Sequence, residues 1–253
     1  MYKRQIHVDG TDYQDDASLS VNELIEALHQ NDEKTSTACP SIAQWQKAFE
    51  GADEIYVITI TSVLSGSYNS AVQAASLYRE DHPETKIHVI DSLSAGPEME
   101  LIIDKLKELI DAGLNFDEIC AKINAYKEKT HLNFALESLD NLAKNGRISP
   151  AVAKVAKMLK IRIIGRPDDG KLTPIGKARG AKKTISYLIK DMEEHGFSNG
   201  RVIIAHILNE EGANNLKQTI LDKHPEASVE IRNARGLCTY YAQKGGLMVG
   251  YEA

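Results

Sequence analysis

Ile55-Tyr56-Val57-Ile58-Thr59-Ile60-Thr61-Ser62-Val63-Leu64-Ser65-Gly66-Ser67-Tyr68-Asn69-Ser70 reads as a strand that runs straight into a hydroxyl-rich turn and then a helix. Residues 55–60 are short, β-branched and apolar, as buried parallel strands are. Ala71, Ala74-Ala75 and Tyr78 follow at helical spacing. Ligands of open α/β sheets bind outside the carboxyl ends of strands. Thr61 to Ser67 therefore lies where small hydroxyls and backbone N–H groups can converge on an anionic oxygen. Plain helix capping accounts for Ser and Thr at a helix start equally well, and at this point both readings stand.

Outward from this stretch the pattern recurs. Ile87-His88-Val89-Ile90 is a second strand, followed by Asp91-Ser92-Leu93-Ser94-Ala95-Gly96 and a helical run through Leu101-Ile102-Ile103, Leu106 and Leu109-Ile110. Two such strand ends in one sheet can face one crevice, which favours an anion site over capping alone. Upstream, Ser36-Thr37-Ala38-Cys39-Pro40-Ser41 gathers small hydroxyls beside a proline, after a helical pattern at Val21, Leu24-Ile25 and Leu28. Val202-Ile203-Ile204-Ala205-His206-Ile207 is a third apolar strand. Strand and helix alternate, so the chain is α/β, with a parallel sheet flanked by helices.

The pattern changes near Asn145-Gly146, where a helix stops. Ser149-Pro150 then opens another, with Val152, Val155-Ala156 and Leu159 expected on its buried face. Ile161-Arg162-Ile163-Ile164 and Lys171-Leu172-Thr173-Pro174-Ile175 flank Asp168-Asp169-Gly170, a turn with glycine where a positive φ is wanted. The expectation is an N-terminal α/β domain over residues 1–146 and a smaller mixed α/β domain over 147–253.

Composition narrows the function. The 253 residues are 42% hydrophobic and 26% charged, ordinary for a globular protein. Met1-Tyr2-Lys3-Arg4-Gln5 leads to Asp9 and Asp12 with no apolar signal core, and no run approaches about 18 apolar residues. A cytoplasmic protein is expected. Cys39, Cys120 and Cys238 fit no metal or paired-thiol spacing. A net charge of -6 argues against nucleic acid as a partner. Gly165 to Lys171 imitates a P-loop until Leu172, where Ser or Thr is required, and Pro167 removes a backbone donor. Ser65-Gly66-Ser67 is not a hydrolase elbow. His206, within a strand, reads as a hydrogen-bonded core histidine, and no His, Asp or Glu cluster has metal-ligand spacing.

Taken in order, these motifs resemble the DegV family of bacterial proteins. Thr37-Ala38-Cys39-Pro40-Ser41 is similar to its Thr-Ser-x-Pro-Ser signature, and Leu64-Ser65-Gly66-Ser67-Tyr68-Asn69-Ser70-Ala71 to its Leu-Ser-Gly-Thr-Tyr-x-Ser-Ala segment. Val89-Ile90-Asp91-Ser92, the stretch from Leu139 to Ser149, Gly170-Lys171-Leu172 with Lys177 and Arg179-Gly180, and Gly245 to Tyr251 follow in the family's sequence. The resemblance covers nearly the whole chain.

It implies a two-domain, non-enzymatic carrier that needs no cofactor. Such a carrier holds a long-chain fatty acid in a buried tunnel and presents the carboxylate to a separate fatty acid kinase, with transient membrane contact. By the same resemblance, Thr37 and Ser65 hold the carboxylate, Ser36, Gly66 and Ser94 are neighbours, and Arg147 lies near the head group.

Three departures stand out. The strand and Asp-Ser-rich loop that usually lead the family are not found before Val8, so a shortened form or a sheet lacking a strand is expected. Ala38 replaces a serine. Tyr241 replaces a histidine, with Gln243 where glycine is common. The alternatives are a small-substrate or phosphotransfer component related to dihydroxyacetone kinases, and a degenerate carrier with a regulatory role.

Overall fold

The structure, a computed structural model, describes residues 5–31, 35–159 and 161–253. The charged opening Met1 to Arg4 lies outside the described residues. From the N-terminus come β1 (Gln5–Val8), β2 (Thr11–Gln14), α1 (Val21–Gln30), β3 (Ser36–Ala38), α2 (Ile42–Phe49), β4 (Glu54–Thr59), α3 (Ser67–Asp81), β5 (Lys86–Asp91), α4 (Pro97–Asp111) and α5 (Phe116–Lys127). Then follow β6 (Thr130–Leu136), α6 (Asp140–Lys144), α7 (Pro150–Leu159), β7 (Arg162–Asp168), β8 (Lys171–Ala178), α8 (Ala181–Glu194), β9 (Arg201–His206), α9 (Glu210–Lys223), β10 (Ser228–Asn233), α10 (Gly236–Ala242) and β11 (Leu247–Glu252).

The strand and helix alternation is as the sequence predicts, but the sheets are partitioned differently. β4 and β5 pair in parallel as a two-stranded sheet. The third predicted strand, β9, lies instead in a six-stranded mixed sheet of order β10-β9-β11-β6-β7-β8. β6 precedes residue 146 yet is an inner strand of that sheet, so the expected division at 146 does not coincide with a sheet boundary. β2, β1 and β3 form a small antiparallel sheet.

Each layer follows from its pattern. Ala71, Ala74, Ala75 and Tyr78 bury one face of α3 beside Val57 and Ile87 of the parallel pair. Leu101, Ile102, Leu106 and Leu109 of α4 are buried, and Ile102, Leu106 and Leu109 pack with Ile119 and Ile123 of α5. Gly250 of β11 allows α4 to begin directly on the sheet, because a Cβ there would stand 2.6 Å from the backbone N of Glu98.

The pseudo-P-loop is the β7–β8 hairpin. Asp169 (φ 47°) and Gly170 (φ +79°) both take left-handed conformations at its tip, the requirement of a two-residue I′ turn. One helix departs from expectation. α7 buries Ala153 and Ala156, whereas Val155 and Leu159, expected inside, are 44% and 39% exposed beside Met158 at 72%. Ala153 and Ala156 join the buried cluster under β6, and the longer apolar side chains of α7 turn outward.

Candidate functional site

The two hydroxyl-rich segments meet. Ser70 Oγ donates to the carbonyl of Pro40 at 3.0 Å and accepts from Trp45 Nε1 at 2.9 Å. A Cβ on Gly66 would lie 3.6 Å from Cys39 Sγ, so the loop carrying Ser65 and Gly66 runs beside the end of β3. Ser65 Oγ accepts from the Ser67 N–H at 3.2 Å at the start of α3. Ser65 thus supports the first N–H of α3 from one residue before its N-cap, Gly66, which offers no side-chain cap, and the two hydroxyl-rich segments lie side by side.

Within β3 the side chains alternate between faces. Thr37 pairs opposite buried Ile6 and reaches Tyr241 OH on α10 at 2.9 Å, while Ser36 pairs opposite His7 and is exposed. The structure thus brings Thr37 together with Tyr241 and places Ser36 on the other face. Arg147, just past α6, lies with its guanidinium carbon 5.9 Å from the Tyr241 ring centroid. It also donates to the Asn145 carbonyl.

Behind this polar edge opens a cavity with about 660 Å³ of empty space, part of it open to solvent. Ile60, Leu64 and Ala95 line it from the loops after β4 and β5, Leu132, Phe134 and Leu136 from β6, and Leu237, Cys238, Tyr241 and Ala242 from α10 and its start. Leu142, Arg147, Leu172 and Met248 complete the wall. Among the lining side chains only Arg147 and Tyr241 carry nitrogen or oxygen, so the cavity is apolar with one polar end.

The loops after β4 and β5 are knit together, as two strand ends facing one crevice require. Asp91 accepts from the Ser62 N–H at 3.1 Å and from the Leu93 N–H at 3.1 Å. Thr61 N–H donates to the Ser94 carbonyl at 2.9 Å. Ser94 is buried, and its hydroxyl is given to Glu98 rather than to the cavity, whose wall begins at the next residue, Ala95. Glu98 also accepts from Thr130 Oγ1 at 3.0 Å. Burial pushes its carboxyl up to about 7, against the opposing effects of the Ser94 and Thr130 hydroxyls and Lys127.

α10 is held from both sides. Asp15 accepts the Gly236 and Leu237 N–H groups at 2.8 and 2.9 Å. Tyr240, fully buried, shares a hydrogen bond with Thr35 at 2.7 Å and accepts from Asn145 Nδ2 at 2.8 Å. Burial, the largest influence, raises the Tyr240 phenol above its usual range. These supports escape sequence reading, since Asp15 and Gly236 are 221 positions apart. His206 Nδ1 accepts from the Asn209 N–H at 3.3 Å, a structural role.

The family model described as "Uncharacterised protein, DegV family" matches residues 3–253. The chain belongs to the DegV family. A DegV domain-containing protein of Streptococcus pneumoniae is 45% identical over 239 residues, 94% of this chain and 85% of the relative. The crystal structure of the S. pneumoniae Fatty Acid Kinase (Fak) B3 protein loaded with linoleic acid is similar with a TM-score of 0.97 at 44% identity, covering 99% of this chain and 89% of that one. A DegV protein from Eubacterium eligens loaded with heptadecanoic acid gives a TM-score of 0.96 at 40% identity, over 99% of this chain and 91% of that one. The order of DegV motifs in the sequence and the α/β fold they imply agree with these matches. Among the described residues no helix is long and apolar enough to cross a membrane, and no group of three or more His, Cys, Asp and Glu side chains could hold a metal ion.

Proposed function

We propose that this chain binds a long-chain fatty acid in the cavity and presents the carboxylate at its polar end to a fatty acid kinase. The observation that carries the reading is an apolar cavity whose lining includes Arg147 and Tyr241, the latter hydrogen-bonded to Thr37. Relatives loaded with linoleic and heptadecanoic acids support it.

Thr37, Ser65, Arg147 and Tyr241 hold the head group in this reading, and Gly66 lies beside Cys39. A carboxylate with hydroxyl donors and a guanidinium nearby is satisfied even though its tail is out of water. The tail supplies most of the affinity. At roughly 0.8 kcal/mol per buried methylene, a sixteen-carbon chain gains about 11 kcal/mol before the costs of association. The protein acts as a carrier, and phosphoryl transfer belongs to the kinase. Small-substrate binding is disfavoured by the apolar wall, which offers a triose almost no hydrogen-bond partners.

The outward face of α7 suits contact with the membrane that supplies the acid. Val155, Met158 and Leu159 are exposed there, beside exposed Lys154 and Lys157 and without any acidic residue in the helix. The decisive experiment is native mass spectrometry with lipid extraction on protein recovered from bacteria. One bound fatty acid per chain is expected, and recovery without any acyl ligand overturns the assignment.

A further inference from the structure

We infer that Phe134, lying over Gly165, sets the depth of the cavity and hence the length of acyl chain it accepts. The inference rests on the fatty-acid reading above. The wall of the cavity is crossed by a register row of the large sheet. Ala205 pairs with Met248, Met248 with Phe134, Phe134 with Gly165, and Gly165 with Pro174. Met248 and Phe134 are its two cavity-lining members.

Paired residues of adjacent strands share a face, and their side chains ordinarily stand perpendicular to the sheet. Phe134 does not stand. A Cβ built on Gly165 would fall 2.4 Å from Phe134 Cζ and 2.6 Å from Cε2, so the far edge of the ring occupies the space a side chain at 165 would fill. The ring lies down across β7, and the register shift between Ile164 and Gly165 accompanies the contact. Met248 flanks the ring on its other side in the row, and the cavity borders it, so the cavity is the space a ring displaced from Gly165 would enter in this proposal.

Glycine here has an extended rather than a left-handed requirement, since its φ is not positive. The constraint is the ring. An alanine at 165 raises Phe134 into the cavity and shortens the space for the acyl tail. A leucine at 134 removes the ring and deepens it.

The test is competition between palmitic, stearic and arachidic acids, read by native mass spectrometry on wild type, Phe134→Leu, Gly165→Ala and the double variant. Phe134→Leu is expected to shift the bound mixture toward the longer acids, by about fourfold for each extra methylene that finds room. Gly165→Ala is expected to shift it toward palmitic acid. The same Cβ would also come within 2.8 Å of the Thr173 carbonyl, so Gly165→Ala alone could simply unfold. Restoration of long-acid binding in the double variant shows that the effect passes through the ring. An unchanged mixture in Phe134→Leu overturns the inference, as does a double variant that is folded by circular dichroism yet does not regain the longer acids. Wild type that binds none of the three acids instead overturns the fatty-acid reading itself.

Discussion

Thr37 Oγ1 and Tyr241 OH share a hydrogen bond of 2.9 Å although 204 positions separate them. The two hydroxyls carry two protons, and their mutual bond uses one. The other remains for an oxygen arriving from the cavity. In the proposed fatty-acid reading this hydroxyl pair offers the carboxylate one donor where the family has a histidine, and Arg147, 5.9 Å from the Tyr241 ring centroid, offers a guanidinium beside it.

From this it follows that Tyr241→Phe weakens fatty-acid binding without emptying the cavity. Loss of a hydrogen bond to a charged group costs about 1.5–3 kcal/mol, on the order of tenfold to a hundredfold in affinity. Thr37→Ala combined with Ser65→Ala should weaken retention at least as much. Titration of a fluorescent acyl probe measures both, and unchanged affinity in the double variant would remove Thr37 and Ser65 from the head-group site.

Glu98 predicts a pH dependence of stability. Burial raises its carboxyl from 4.5 to about 7 in the folded chain, so the folded state holds a proton that the unfolded state has released. Between these values the unfolded state binds fewer protons, and stability falls as pH rises. The loss begins near pH 4.5, is complete above about 7, and amounts to roughly 3 kcal/mol. Glu98→Gln keeps the hydrogen-bonding shape without the charge. Urea unfolding at pH 5 and pH 8 should show a smaller difference for the variant than for wild type, and an equal difference would contradict the assignment.

The extent to which the sequence disclosed this molecule depended on how local each cause was. β4, α3 and the turn at Asp169-Gly170 follow from near-neighbour patterns, and all three form where the periodicity places them. The hydroxyl-rich segments holding Thr37 and Ser65 stand out because small hydroxyls at element ends have a local reason, while the choice of those two residues within them comes from the family resemblance. The sheet that receives β9 depends on pairing with β11, more than forty positions onward, which leaves no local trace. The inward methyl face of α7 reverses the usual preference for burying the larger apolar residues, so Val155 and Leu159 were misplaced. Asp15 is an ordinary surface acid until the fold sets it under α10.

Gln243 offers a test of strain. Its backbone stands at φ 55° and ψ 179°, a region essentially reserved for glycine, and costs of order 1–3 kcal/mol. Among the described residues its side-chain Nε2 is buried without a hydrogen-bond partner. Gln243→Gly relieves both, against about 1 kcal/mol of added freedom in the unfolded chain. A net gain of about 1 kcal/mol is expected in chemical unfolding, and a loss of stability would show that the strain is illusory.

Asp15 provides the last prediction. α10 has no side-chain cap of its own, and both oxygens of Asp15 accept its first backbone N–H groups, from Gly236 and Leu237. A negative charge there also complements the positive end of the helix. Asp15→Ala leaves two donors orphaned and should cost about 0.5–2 kcal/mol, the range measured for lost helix caps. Because α10 carries Cys238 and Tyr241 into the cavity wall, fatty-acid affinity should fall with it. Asp15→Asn keeps one acceptor oxygen and should lie between. Amide exchange separates this local loosening from global unfolding: Gly236 and Leu237 should lose protection in Asp15→Ala while β4 and β5 keep theirs. Equal loss across all these amides would mean that Asp15 supports the whole fold rather than this one helix.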